Sequence, residues 1–267
     1  VFALQFQSNN TGRIENVTIR STAPDRSGRR GLDMAFGFPG PMLVRNVTIE
    51  GYDEGFAGAP QEYSVVFENL TLRHQRVLGM YTWRLPIQVR NLVSVNTVPV
   101  IVNDTNPGAA GHIVIDGGTF TGGSNTNDAI INRNSGGVVI VRNLTTSGYR
   151  FAINDLSFGI PQTVADGPVA QYTTDPAASL NPSPATILGV PVEETPAAPA
   201  IPVGTWASVK SFGAIENDNL DDTAAVQAAL DSGAAVVYFP TGLYTLSDTL
   251  KIGPAVQRIE GLKSDIT

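Results

Sequence analysis

Val44-Arg45-Asn46-Val47-Thr48-Ile49 is one copy of a hexapeptide that returns along the first 150 residues. Its companions are Ile14-Glu15-Asn16-Val17-Thr18-Ile19, Phe67-Glu68-Asn69-Leu70-Thr71-Leu72, Val89-Arg90-Asn91-Leu92 and Val141-Arg142-Asn143-Leu144-Thr145. Ile115-Asp116-Gly117-Gly118-Thr119-Phe120 fits the same frame with glycine in the Asn slot. The slots are 30, 23, 22, 26 and 26 residues apart, a solenoid spacing. Apolar and polar residues alternate within each copy, which is a strand period. A second apolar cluster follows each copy by roughly ten residues, at Leu32-Asp33-Met34, Phe56, Leu78-Gly79-Met80, Val100-Ile101-Val102, Ile130-Ile131 and Phe151-Ala152-Ile153. Two or three short strands per turn predict an all-β chain, a right-handed parallel β-helix. A leucine-rich repeat would need a tighter, Leu-dominated period.

Stacked coils lie about 4.8 Å apart, so equivalent positions form files along the axis. The residue before the Asn slot reads Glu15, Arg45, Glu68, Arg90, Asp116, Arg142, alternating in sign throughout. Opposite charges one strand apart attract, so these six are expected in one outward-facing, solvated file that fixes register. The Asn file itself has two readings. Asn tolerates left-handed backbone and suits a corner, where stacked amides form a ladder. Alternatively, Asn9, Asn16, Asn46, Asn69, Asn103 and Asn143 all stand in N-x-Thr and are glycosylation acceptors. The ladder explains why the motif repeats with the coil.

The formal charge is −7, which argues against nucleic acid as a partner. It is uneven: residues 1–100 carry ten Arg/Lys against eight Asp/Glu, and the remainder seven against sixteen. No run is long and apolar enough to cross a membrane as a helix. The absence of cysteine rules out disulfides and thiolate metal sites, and no cofactor is expected. No charged leader opens the chain, and both ends read as cut, so a piece of a longer protein is expected. The Arg13, Arg20, Arg26, Arg29 and Arg30 cluster reads as a solvated loop surface rather than a polyanion site.

Residues 1–155 form the repeat region, and 156–205 read as a Pro/Ala-rich extended connector, with Glu193-Glu194-Thr195-Pro196 typical of it. Order resumes over 206–267. Asp222 or Thr223 is expected to cap a helix over Ala224–Asp231, with Gly233 as its stop and Val226, Ala229 and Leu230 as its apolar stripe. Val236–Phe239 and Leu243–Leu246 are expected as strands joined at Pro240-Thr241-Gly242. This is a cap helix and the first coil of a second β-helix.

Ser208-Val209-Lys210-Ser211-Phe212-Gly213-Ala214, Asp221-Asp222-Thr223-Ala224-Ala225-Val226-Gln227-Ala228-Ala229-Leu230 and Val237-Tyr238-Phe239-Pro240-Thr241-Gly242-Leu243-Tyr244 closely resemble the opening signature of the pectate-lyase-like β-helix superfamily. Here that signature follows an earlier β-helix. Two β-helices in tandem, with stretches Gly40 to Gly51 and Glu62 to Leu72, are similar to the exo-β-1,3-glucanases of glycoside hydrolase family 55. The resemblance implies inverting hydrolysis of a β-1,3-glucan from its end, in a cleft between the two helices. It implies a general acid from late coils of the second helix, with no counterpart in this chain, and a bound water held by Gln75 and Thr97. The fragment alone is then expected not to hydrolyse laminarin, to pack against the rest of its own second β-helix, and to work outside the cell.

Tyr81 and Trp83 follow an inward Met80 and, with Arg84, are candidates for sugar stacking, against a reading as loop packing. His74 and His112 are lone histidines without metal spacing, so no metal is expected. Asp221 and Asp222 are explained by helix capping. Asp53-Glu54 and Glu193-Glu194 read as solvated loop residues without partners, whereas Asn103-Asp104 and Asn154-Asp155 are placed to line a groove. Two other functions fit the fold: a polysaccharide lyase or epimerase, and a non-enzymatic tailspike or adhesin. The alternating charge file supplies no acid cluster for calcium, and Thr18, Thr48, Thr71, Thr119 and Thr145 give a solvated rather than a trimerising face.

Overall fold

A computed structural model describes residues 2–37, 39–58, 63–105, 111–175, 196, 200–261 and 263–267. The chain divides into two compact units, Val1–Gly189 and Val190–Thr267.

The first unit is a parallel β-helix. Long strands Asn9–Arg20, Gly40–Glu50, Val65–Arg73, Ile87–Val95, Ile113–Thr121 and Val139–Thr146 stack in one sheet. Short strands Phe2–Gln5, Arg30–Met34, Glu54–Gly58, Leu78–Thr82, Ile101–Asn103, Ile130–Asn132 and Phe151–Asp155 stack in the other. Every one of these pairings is parallel. Each copy of the hexapeptide lies within a long strand and bends it at the Asn slot. Asn16, Asn46, Asn69, Asn91 and Asn143 have φ of 58, 53, 55, 53 and 54°, and Gly117 takes the slot at 77°. That left-handed corner is why Asn or Gly is required there. The amides stack as a ladder: Asn46 Nδ2 donates to Asn16 Oδ1 at 3.0 Å, Asn69 to Asn46 at 3.0 Å and Asn91 to Asn69 at 3.1 Å. Where Gly117 breaks it, Asn143 Nδ2 reaches Asp116 Oδ1 instead.

The bend keeps alternation on both arms. Val44, Phe67, Val89, Ile115 and Val141 bury before the corner; Val47, Leu70, Leu92 and Leu144 bury after it. They meet Leu32, Phe56, Met80, Ile101, Ile130 and Ile153 from the short strands in one continuous core. Phe56 and Phe67 touch edge to face at 4.9 Å. The Thr file is in register through Thr18, Thr48 and Thr71, and again at Thr119 and Thr145, on the outer side.

The charge file also stacks in register, Glu15 to Arg45 to Glu68 to Arg90 to Asp116 to Arg142. Arg45 pairs with Glu15 through two nitrogens and approaches Glu68 at 3.7 Å; Arg90 reaches Glu68 at 3.5 Å, and Arg142 reaches Asp116 at 2.7 Å. The expectation of a solvated file is corrected, because Arg45 is 5 % and Glu68 2 % exposed. Buried, the pairs specify register strongly, since removing one partner strands the other charge away from water.

Residues 156–175 correct the expected start of the connector. Gln162–Ala165 pairs antiparallel with the last short strand, and Pro168–Thr173 pairs antiparallel with the last long strand. This hairpin covers the exposed edge of both sheets. Most of the remaining connector, with Glu193 and Glu194, lies outside the described residues.

In the second unit, Ala207–Ser208, Val236–Phe239 and Arg258–Gly261 form a parallel sheet, and Gly242–Tyr244 pairs in parallel with Ser264–Ile266. The Pro240 to Gly242 turn is therefore a coil corner between two sheets. The helix spans Thr223–Leu230, one residue earlier than expected, and buries Val226, Ala229 and Leu230. Asp222 stands at its N-cap position but makes no side-chain cap bond. Its carboxylate instead accepts from the Ile215 and Thr245 amides, tying the preceding loop to the next strand. Asp221 takes the capping role, accepting from the Thr223 amide at 3.0 Å, and also holds Ser247. Gly233 ends the element at φ 81°. None of the described helices is long and apolar enough to cross a membrane.

Candidate functional site

The short-strand sheet positions the candidate residues at its two margins. Leaving the sheet, Met80 points inward, Tyr81 outward and Thr82 inward again, as strand alternation requires. Thr82 is fully buried and its hydroxyl donates to the Leu85 carbonyl, closing a tight turn that carries Trp83 and Arg84. Tyr81 is half-buried, and its hydroxyl donates to Asp104 Oδ2 at 3.2 Å. Burial and the Asp104 carboxylate both push its phenol above the usual range, so it remains a donor at neutral pH. Arg133 Nη1 stands 4.0 Å from Asp104.

What fixes this margin is a second, interior ladder. Asn103, Asn132 and Asp155 end successive short strands in register and are at most 1 % exposed. Asn103 Nδ2 donates to Asn132 Oδ1 at 2.9 Å, and Asn132 Nδ2 to Asp155 Oδ1 at 3.0 Å. Asn134, also fully buried, donates to the Trp83 carbonyl at 2.6 Å. The aromatic turn is thus anchored two coils away. Asp155 accepts from Ser157, Tyr172 and Thr174; burial pushes its carboxyl up, but these hydrogen bonds outweigh it and the net shift is downward. The expectation that Asn103 and Asp155 line a groove is corrected: both are interior, while Asp104 and Asn154 are their partly exposed neighbours. The buried Asn103 amide cannot carry a glycan in this fold.

Gln75 and Thr97 come together at the opposite margin, where chain enters the short-strand sheet. With His74, Val95, Asn96 and Gly122 they line a cavity of about 250 Å³. Gln75 is 4 % exposed, and its Nε2 donates to the Ile49, Gly51 and Arg73 carbonyls at 3.0–3.1 Å. Its Oε1 is buried without a hydrogen-bond partner and is closed to water. The Thr97 side belongs to an exposed residue whose carbonyl accepts from Asn127. His74 occupies a left-handed corner at φ 59°, and exposed His112 accepts from the Val138 amide.

Between the margins the outer face is polar at one end. Arg30 bridges Glu54 at 2.6 Å and Asp33 at 2.9 Å, and Gln5 also donates to Asp33. Asp53 pairs with Arg76 at 3.2 Å. Asp53 and Glu54 therefore have partners, contrary to expectation, and Arg30 is no free loop cation. At the other end Arg150 grips buried Asp128 with two bonds of 2.8 and 2.7 Å and lies over the Phe151 ring. Among the described residues no group of three His, Cys, Asp or Glu is placed to hold a metal ion.

The sequence reading missed Asn134 and the Asn103–Asn132–Asp155 ladder. Its signal was present in the strands Ile101-Val102-Asn103, Ile130-Ile131-Asn132 and Ile153-Asn154-Asp155, each placing a carboxamide or carboxylate third.

Residues 206–258 match the family model described as Rhamnogalacturonase A/epimerase, pectate lyase-like. No curated protein matches the chain. The matched domain and the β-solenoid together support the pectate-lyase-like superfamily and point to a carbohydrate-active protein.

Proposed function

We propose that the chain belongs to a glycan-processing protein acting on a neutral β-1,3-glucan, on the two-helix plan of the family 55 exo-β-1,3-glucanases. The observation that carries this reading is a pectate-lyase-like opening, matched from residue 206, that follows in sequence a β-helix already closed by its own antiparallel hairpin. Tyr81, Trp83 and Arg84 form the sugar-contacting margin, where an amphipathic ring offers a face for stacking and a polar tip for hydroxyls. Gln75 and Thr97, which line one cavity at the other margin, are the pair that the family plan assigns to a water. Arg30 is spent on both Asp33 and Glu54, so this face keeps an excess of negative charge and no free cation from that arginine, which suits an uncharged polymer better than a uronate. A polymeric glucan also places the protein outside the cell.

Affinity electrophoresis of the 267-residue chain in gels containing laminarin, polygalacturonate or alginate tests this, with products assayed in parallel. Retardation by laminarin alone is expected, and Trp83→Ala reduces it. Retardation by polygalacturonate without laminarin, or release of ultraviolet-absorbing unsaturated products, overturns the glucan reading in favour of a lyase.

A further inference from the structure

The second unit carries a cavity that the sugar-contacting margin does not include. It measures about 480 Å³ and is lined by Val203, Trp206, Ser208, Tyr238, Glu260 and Gly261, a size within the ordinary range of ligand sites. Its construction follows from the sheet. Val237 and Phe239 turn into the core, so Tyr238 between them faces outward. Ser208, Tyr238 and Glu260 are in register on three adjacent strands, which sets a hydroxyl, an aromatic ring and a carboxylate side by side at strand spacing. Trp206 stands beside this row, its ring centroid 5.9 Å from that of Tyr238 at 55°. The indole N–H is already spent on the Ile201 carbonyl at 3.0 Å, so what Trp206 presents is an apolar face.

Two inclined rings, next to a carboxylate and a hydroxyl, match the two surfaces of a pyranose. Its C–H face packs on the rings, and its equatorial hydroxyls donate to Glu260 and Ser208. Charge selects among sugars. Residues 200–267 carry four Lys/Arg against eight Asp/Glu. Arg258 is 3.3 Å from Glu260 and is paired there rather than waiting for an anion. A uronate would bring a second carboxylate against Glu260. We infer that Trp206, Tyr238, Ser208 and Glu260 form a separate saccharide subsite for neutral pyranosides. This deepens the glycan reading above and rests on it.

The chain has two tryptophans, so each is its own reporter when the other is removed. Trp83→Phe leaves Trp206 as the fluorophore, and Trp206→Phe leaves Trp83. Titration of both variants with laminaritriose and with trigalacturonate is expected to move Trp206 emission with the neutral sugar and not with the acidic one. In the Trp83→Phe background, Tyr238→Ala should weaken laminaritriose binding roughly three- to tenfold, with circular dichroism unchanged. Glu260→Gln in that background should narrow the preference over trigalacturonate. If Trp83 responds to laminaritriose while Trp206 stays silent, this subsite falls and the glucan reading stands. If Trp206 responds to trigalacturonate instead, neutral selectivity falls; if neither indole responds to laminaritriose, both readings fall.

Discussion

Replacing Asn69 separates the two jobs of the corner asparagine. Its backbone sits at φ 55°, and its side chain makes two ladder bonds, donating to Asn46 at 3.0 Å and accepting from Asn91 at 3.1 Å. Both bonds are exposed, so together they contribute about 1 kcal/mol, at the low end for neutral hydrogen bonds. Alanine loses them and must also hold a left-handed conformation, which costs about 1–2 kcal/mol. Asn69→Ala is therefore expected to destabilise by about 2–3 kcal/mol. Glycine loses the ladder but adopts the corner freely, at an unfolded-state entropy cost of about 0.5–1 kcal/mol, for a total near 1.5–2 kcal/mol. The ordering Asn above Gly above Ala is the signature, and Gly117 already shows that the fold accepts glycine there. The assay is urea unfolding followed by Trp83 emission in a Trp206→Phe background, so that the signal reports the first unit. A difference of 1 kcal/mol moves the midpoint by about 0.4 M at an m-value near 2.5 kcal/mol/M. Equal midpoints for Ala and Gly would refute the corner argument, and wild-type midpoints for both would refute the ladder.

Acid should act through Asp155. Its folded-state carboxyl lies below the usual value, so its contribution is present above the unfolded pKa and disappears as pH falls through the lower folded one. Asp155→Asn, which keeps an oxygen for the ladder and for Ser157 but loses the acceptor of Tyr172 and Thr174, is expected to flatten stability against pH below about 4; an unchanged acid limb would count against it. Alkali should act through Tyr149, buried with its hydroxyl on the Asn96 carbonyl and its phenol pushed up to about 12. A raised phenol stabilises below the unfolded value near 10 and loses that contribution as pH climbs towards the folded one. Tyr149→Phe should then be less sensitive to pH between those limits, as read by thermal melts in strong base. Gly79 is fixed by backbone contact, since a Cβ there would sit 2.5 Å from the Val100 carbonyl oxygen. Gly79→Ala is expected to cost about 1–3 kcal/mol, against a Gly253→Ala control that meets nothing within 4 Å; equal melting temperatures would show that the coil spacing yields.

The stacking of the first unit was legible because a solenoid writes its period into the chain. Each Asn slot marks a corner, and the residue before it revealed the register through sign alone, from Glu15 to Arg142. Alternation tells which side of a sheet a residue occupies. It does not tell whether that side is wet, which is why the burial of Arg45 and Glu68 went unread. The closing hairpin over Gln162–Thr173 was hidden for a related reason. Its strands are antiparallel and lack the Asn corner, so they share no motif with the coils they cover. Asp222 looked like a cap by spacing, yet the amides that claim it, Ile215 and Thr245, lie seven residues before it and 23 after it.

The candidate site was legible only in its outward half. Tyr81 could be placed by counting from Met80, because strand parity is local. The hold on Trp83 is not local: the Asn134 amide that fixes its carbonyl is 51 residues away. Asn134 approaches Asn103 Oδ1 at 3.5 Å, so it belongs to the edge of the same interior network that runs through Asn132 to Asp155. The turn proposed to bind sugar, anchored this way, does not need a long or rigid loop of its own. The buried ladder supplies the rigidity, and binding then spends less of its free energy on ordering the turn. It follows that Asn134→Ala should weaken laminarin retardation while Trp83 itself is untouched. Were binding to survive that change at full strength, the turn would have to be held by contacts other than the ladder.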